Sequence, residues 1–215
     1  MSINLDIVNK TTSLVAKRNS GKSVLLKYLV EQSKNKFEKI FVICPTECVN
    51  NFYSSMVEKN CIFDSWNEEW VESLIQKMTT QNANKKKEEK KDILLILDDV
   101  MSDTNFAQSP ALKKIFTRGR HINISVICTC QYLYNLPRIC RSNLDFSIIG
   151  QMNRQSVQLL ADEYMCGDID RKEFVDLYNR STRDYGFLVI NNNSVKDDDL
   201  NNIYGVIKTP EKYVV

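Results

Sequence analysis

Along this chain hydrophobic residues gather in short, nearly unbroken runs: Ser13 to Ala16, Ile40 to Cys44, Ile93 to Leu97, Ile124 to Thr129, Phe146 to Ile149 and Gly186 to Ile190. Runs of this length, rich in Ile, Val, Leu and Phe, are how strands covered on both faces read; a strand with one wet face would alternate. Between them lie segments with helical spacing. Over Lys22 to Gln32, the residues Val24, Leu25, Tyr28 and Leu29 share one face, and Ser156 to Tyr164 predicts another helix. Strands alternating with helices predict an α/β fold, a mainly parallel sheet flanked by helices.

Two stretches break this rhythm. Gln81 to Lys91 is polar apart from Ala83 and carries Lys85-Lys86-Lys87, Glu88-Glu89 and Lys90-Lys91. Mixed charge without apolar anchors stays in water, so it reads as a helix end or mobile loop, or else as a basic finger that touches nucleic acid. Asn191 to Asn202, three Asn followed by three Asp, reads as a surface loop. No internal repeat is visible, and 215 residues with 43% hydrophobic content suit one domain spanning 1–215.

Charge narrows the partners little. With 29 basic and 27 acidic side chains the formal charge is +2, which neither demands nor excludes a polyanion. The cysteines Cys44, Cys48, Cys61, Cys128, Cys130, Cys140 and Cys166 contain no C-x-x-C pair. Cys44 and Cys128 end apolar runs, where a thiol packs as a small hydrophobe, so a reducing compartment is expected rather than disulfides or a zinc site. No apolar stretch nears the roughly 20 residues that cross a bilayer, and no secretory h-region opens the chain; the expectation is a soluble protein without a membrane partner.

The candidate chemistry begins at Ala16-Lys17-Arg18-Asn19-Ser20-Gly21-Lys22-Ser23, which has A/G-x-x-x-x-G-K-S/T spacing between a predicted strand and a predicted helix. Backbone N–H groups of such a loop, running on into Val24, turn inward and, with the positive end of the helix, cradle phosphates. Gly21 lets the backbone approach the anion. Lys22 would neutralise terminal phosphate oxygens, and the Ser23 hydroxyl would ligate Mg²⁺. The first position, Ala16, is more usually Gly.

A second motif follows. Ile93 to Leu97 is apolar and ends in Asp98-Asp99, charge placed where a buried parallel strand emerges at the ligand edge of its sheet. Asp98 suits the metal role, and Asp99 the polarising of a water for in-line attack, although Glu is commoner at that position. Either carboxylate could instead be a loop or cap residue.

Further along, Arg118-Gly119-Arg120-His121 precedes the Ile124 to Thr129 run and Gln131 follows it. Gln131, at the end of that strand, could sense the γ-phosphate or be a turn residue with a satisfied amide. Arg118, Arg120 and Arg141 are candidates for an arginine inserted into a neighbouring subunit's phosphate site, or form surface ion pairs. His121 lacks partners at ligand spacing and reads as structural.

Taken together the motifs resemble the viral genome-packaging ATPases of the FtsK/HerA superfamily, found in poxviruses, other large double-stranded DNA viruses and virophages. The resemblance covers most of the chain. It rests on Ala16 to Leu26, on Cys44-Pro45-Thr46-Glu47 with Asn51-Phe52-Tyr53, on Leu95 to Asp99, and on Arg118 to His121, Gln131, Leu136-Pro137 and Arg141-Ser142-Asn143. It implies a RecA-like P-loop ASCE core that uses ATP and Mg²⁺. It implies also a homo-oligomeric ring of five or six subunits, double-stranded DNA as cargo and capsid or portal-vertex proteins as partners. The place implied is the host-cell cytoplasm, in the virus factory, or the virion. The acidic pair would bind metal and activate water, Gln131 would act as sensor, and Arg118, Arg120 or Arg141 would work in trans.

Two other classes share the loop. A nucleotide or small-molecule kinase needs an arginine-bearing lid and an acceptor pocket, and a GTPase needs N-K-x-D, which Asn9-Lys10-Thr11-Thr12 does not complete. An ATP-binding scaffold that does not hydrolyse would keep the loop and lack the activity.

Overall fold

A computed structural model of the chain describes residues 5–100, 104–166, 169–194, 199–210 and 213. In chain order the elements are β1 (Thr11–Val15), α1 (Lys22–Ser33), β2 (Lys39–Ile43), α2 (Glu47–Asn50), β3 (Ile62–Phe63), α3 (Glu68–Asn82), β4 (Ile93–Asp98), α4 (Thr104–Gln108) and α5 (Pro110–Arg118). There follow β5 (Ile124–Cys130), α6 (Arg138–Arg141), β6 (Phe146–Ile149), α7 (Arg154–Tyr164), α8 (Arg171–Ser181), β7 (Gly186–Asn191), α9 (Leu200–Ile203) and β8 (Tyr204–Lys208).

The strands form one eight-stranded sheet in the order β3-β2-β4-β5-β1-β6-β7-β8. All pairings from β3 to β6 are parallel; β7 and β8 join antiparallel. This is the α/β architecture the pattern predicts. Alternate residues of β4 show why its run is unbroken: Leu94 and Ile96 pack with Leu25, Leu26 and Leu29 of α1, whereas Ile93, Leu95 and Leu97 pack with α3 and α5. Beyond β1, the second face is covered by α7 and α8 through Leu160, Phe174 and Tyr178 against Val15, Ile149 and Leu188.

Where expectation and structure differ, polar residues hid the order. The first strand begins at Thr11, not Ser13, because buried Asp145 accepts hydrogen bonds from the Thr11 N–H (2.8 Å) and hydroxyl (3.0 Å). The helix α3 was not expected. Its buried Val71, Leu74 and Met78 recur at helical spacing, and Asn67 caps it by accepting from the Trp70 N–H at 2.9 Å. The short β3, the helices α5 and α8, the Gly-containing β8 and the one-turn helices α2, α4, α6 and α9 are further elements that the apolar pattern does not announce.

Both charge-rich stretches are tethered at their ends. Gln81 and Asn82 close α3, and the buried Asn82 amide bridges the N–H and C=O of Lys91, each at 3.1 Å. Lys91 pairs with Glu38. Of the stretch expected as a surface loop from Asn191 to Asn202, residues 195–198 lie outside the described residues; Asn192 donates to Ser147 at 3.1 Å and Asn193 to Asp145 at 3.0 Å. No helix among the described residues is long and apolar enough to cross a membrane.

Candidate nucleotide site

The loop joining β1 to α1 emerges at the carboxyl edge of the parallel strands. Its exit is pinned on both sides, by Ala16 N–H to Cys130 C=O (3.2 Å) and Lys17 N–H to Gln151 C=O (2.8 Å). Asn19 (φ 57°) and Gly21 (φ 82°) take left-handed conformations that curl the chain, Ser20 donates to the Lys17 carbonyl at 2.7 Å, and Gly21 C=O accepts the Leu25 N–H at 2.9 Å to start α1. Lys17, Arg18, Asn19 and Ser23 are exposed and Lys22 is half-buried. The methyl of Ala16 is fully buried over Gly150, where an added Cβ would come within 2.8 Å of it. Glycine at 150 is thus what makes room for alanine at the loop's first position.

Asp98 ends β4 with the side-chain parity of Leu94 and Ile96, toward the face that α1 covers. Its carboxylate is held on both oxygens: the buried Tyr53 hydroxyl donates to Oδ2 at 2.8 Å, the Cys44 thiol lies 3.7 Å from the same oxygen, and the Thr129 hydroxyl donates to Oδ1. Asp99 turns out of the strand at φ 55°, its N–H on Thr129 Oγ at 3.3 Å. One cleft of about 590 Å³ is lined by Lys17 to Val24, Asp98, Asp99, Gln131, Cys44, Glu47 and Tyr53. A cavity of about 650 Å³ between α8 and α9 lies away from these groups, so size does not single out the chemistry.

The turn after β2 is itself clamped. Buried Glu47 accepts from Tyr53 N–H (3.0 Å), Ser54 N–H (2.8 Å) and Ser54 Oγ (2.8 Å). Burial works against its charge, but these donors prevail and hold its carboxyl below the usual range. Burial and the adjacent Asp98 push the Tyr53 phenol well above its ordinary value, so it stays a donor. Burial likewise raises the Cys44 thiol.

The three arginines lie elsewhere. Arg118 is exposed at the end of α5 and Arg120 follows in the turn before β5, at the opposite edge of the sheet from the loop. Arg120 approaches Asp145 at 3.9 Å and is about half exposed. Arg141 is engaged within its own chain: Nε donates to Glu163 at 3.0 Å, Nη1 to the Leu136 carbonyl at 2.8 Å, and the guanidinium lies 4.5 Å from the Tyr134 ring centre. His121 is exposed in the same turn as Arg120. All seven cysteines are unpaired, and among the described residues no three potential ligands gather into a metal site.

A sheet with β5 inserted between β1 and β4, and with loop and carboxylates meeting at one cleft, invites comparison with known proteins. The model of the poxvirus A32 protein family matches residues 5–206. The chain belongs to that family. This A32 family member is 28% identical over 84% of its length to an uncharacterized protein of Invertebrate iridescent virus 6, of which the match covers 70%. It is 22% identical over 92% of its length to an uncharacterized protein of Frog virus 3, covering 61% of that relative. It therefore spans about three fifths to seven tenths of these relatives.

Among solved structures, the genome packaging NTPase B204 from Sulfolobus turreted icosahedral virus 2, in complex with AMPPCP, superposes with a TM-score of 0.65 at 18% identity, over 94% of this chain and 98% of that one. The monomer form of the pCW3 conjugation coupling protein TcpA with ATPγS gives 0.68 at 12% identity, over 99% of this chain and 65% of that one. At such identities the likeness is one of fold. The family resemblance seen in the motifs is that of the A32 match. What sequence reasoning missed in this chain is the set of side chains around the acidic pair: Tyr53, Thr129, Cys44 and the Glu47 clamp. Cys44, Glu47 and Tyr53 all belong to the motif after the second strand, yet nothing in their spacing says that Cys44 and Tyr53 meet Asp98.

Proposed function

We propose that this protein is an ATPase that moves double-stranded viral DNA into preformed capsids. The observation that carries the reading is one cleft in which the phosphate loop, Lys17 to Val24, faces Asp98 and Asp99 from β4 and Gln131 from the end of β5. The family match, and the likeness in fold to B204, a genome packaging NTPase, support it. Backbone N–H groups of the loop and Lys22 bind the triphosphate. The oxygen donors Ser23 and Asp98 suit Mg²⁺, a hard cation; Asp98 is pre-oriented by Tyr53 and Thr129 and keeps lone pairs free for it. Mg²⁺, when bound, neutralises phosphate charge. Asp99 accepts the proton of the attacking water, and Gln131 hydrogen-bonds near the terminal phosphate.

Arg141 is engaged internally and Arg120 approaches Asp145, so exposed Arg118 is the first of the three candidates to serve a neighbour in a ring of five or six subunits. Such rings, working with capsid or portal-vertex proteins, hold DNA briefly, which suits a chain of formal charge +2. The test is ATP hydrolysis measured against protein concentration with and without double-stranded DNA. Hydrolysis should rise with DNA and collapse in Lys22→Ala and Asp99→Asn. An Asp99→Asn protein with normal turnover removes the base assignment, and a rate indifferent to DNA removes the translocase. Uptake of ATP without any turnover would leave a scaffold.

A further inference from the structure

A nucleoside triphosphate lying in the proposed site has a direction. Its terminal phosphate faces Asp98, Asp99 and Gln131, which stand on β4 and β5, to one side of β1 in the sheet. The base must then leave toward the other side, over β6 and β7. There the loop is strapped to two neighbours: Gln151, after β6, accepts the Lys17 N–H, and its side-chain amide donates to the Thr182 carbonyl at 3.2 Å, in the turn between α8 and β7.

That turn carries an aromatic ring in an unusual posture. Asp184 (φ 51°) and Tyr185 (φ 57°) are successive non-glycine residues in the left-handed region, a strained conformation for a bulky aromatic side chain. Gly186 makes the turn feasible, since a Cβ there would lie 2.3 Å from the Ser181 carbonyl oxygen. The strain does not bury the ring, which remains 56% exposed. It places the ring against the phosphate loop: a Cβ built on Gly21 would lie 3.3 Å from Tyr185 Cδ1.

From this we infer that Tyr185 is the stacking platform for the base of the bound nucleotide, a purine's larger face being favoured. The inference rests on the nucleotide reading of the loop. A tyrosine offers a rigid flat face at small entropic cost and stacks on any base, and removing such a face weakens binding about 5- to 150-fold.

Calorimetric titration of the full chain with Mg·ATP and, separately, with Mg·tripolyphosphate tests it. Asn is the informative replacement, because it accepts left-handed φ and removes the ring without asking the backbone to move. Tyr185→Asn should bind ATP at least fivefold more weakly and tripolyphosphate within twofold of wild type; Tyr185→Phe should match wild type on both. Unchanged ATP affinity in Tyr185→Asn overturns the inference. So does an equal loss on both ligands, which would make the ring a prop for the loop, or a loss in Tyr185→Phe as large as in Tyr185→Asn. A wild type that takes up neither ligand overturns the phosphate-loop reading and this inference with it. Tripolyphosphate uptake that Lys22→Ala abolishes, with no effect of Tyr185→Asn on ATP, overturns this inference alone.

Discussion

Replacing Tyr53 with Phe removes one oxygen from a buried ring and nothing else. That oxygen donates to Asp98 Oδ2 at 2.8 Å, and the ring is 1% exposed, so solvent cannot readily supply a substitute. A hydrogen bond to an ionised group contributes about 1.5–3 kcal/mol net. For a domain of this size that corresponds to a fall in Tm of about 3–12 °C, read by calorimetry or far-UV circular dichroism. Because Thr129 holds the other carboxylate oxygen, Thr129→Val should behave similarly, and the double variant should lose less than the sum. In hydrolysis assays with Mg²⁺ varied, Tyr53→Phe should need more Mg²⁺ for half-maximal rate, its Asp98 being less well oriented. A Tm within 1 °C of wild type and an unchanged Mg²⁺ dependence would refute the claim that Tyr53 orients the acidic strand end. The phenol also predicts alkaline behaviour. Its folded pKa is raised, so the stability it confers is complete below the ordinary tyrosine value near 10 and is lost as pH climbs above it, a loss absent in Tyr53→Phe.

Other expectations follow from the same geometry. Gly150→Ala drives a methyl to 2.6 Å from Phe187 and 2.8 Å from Ala16, which should cost about 1–3 kcal/mol in a denaturant titration; adding Ala16→Gly should recover part of it. Against burial, the Thr11 N–H, Asn193 and Lys10 hold the Asp145 carboxyl below its ordinary value of 3.8. Its contribution is therefore present above that value and lost as pH falls through the lowered one. Asp145→Asn should be less stable than wild type at pH 7 by about 1–3 kcal/mol, with the gap closing in acid. Arg141→Ala, which strips Glu163 and the Leu136 carbonyl of their donor, should lose roughly 2 kcal/mol, short of a fully buried pair because Glu163 keeps some solvent access. Exposed Arg118→Ala should stay within about 0.5 kcal/mol, so any loss of turnover in that variant tests the proposed trans role and not the fold.

Much of this protein was legible residue by residue because the relevant physics is local. Unbroken runs such as Ile93 to Leu97 have the length and aliphatic composition of strands covered on both sides, and the helical face of Leu25 and Leu29 packs on them, so the α/β class follows from burial and periodicity. The curl of the candidate phosphate loop is local in the same way: Asn19, Gly21, Lys22 and Ser23 lie together in the sequence, and the backbone turn there is one they themselves make. Signals spread thinly among polar residues, as in α3 at Val71, Leu74 and Met78, were present but diluted.

What the tertiary structure alone decided are the meetings between residues distant in sequence. Tyr53 and Thr129 reach Asp98 across separations of 45 and 31 residues, Gly150 admits Ala16, and Tyr185 comes to rest on Gly21. Each depends on the order in which strands enter the sheet, with β5 between β1 and β4 and with β6 and β7 beyond β1. Strand order is set by the summed packing of both faces, not by any one segment. A chain read in one dimension therefore yields the apolar strands, the amphipathic helix α1 and the contiguous loop, while the surroundings of each carboxylate belong to the assembled sheet.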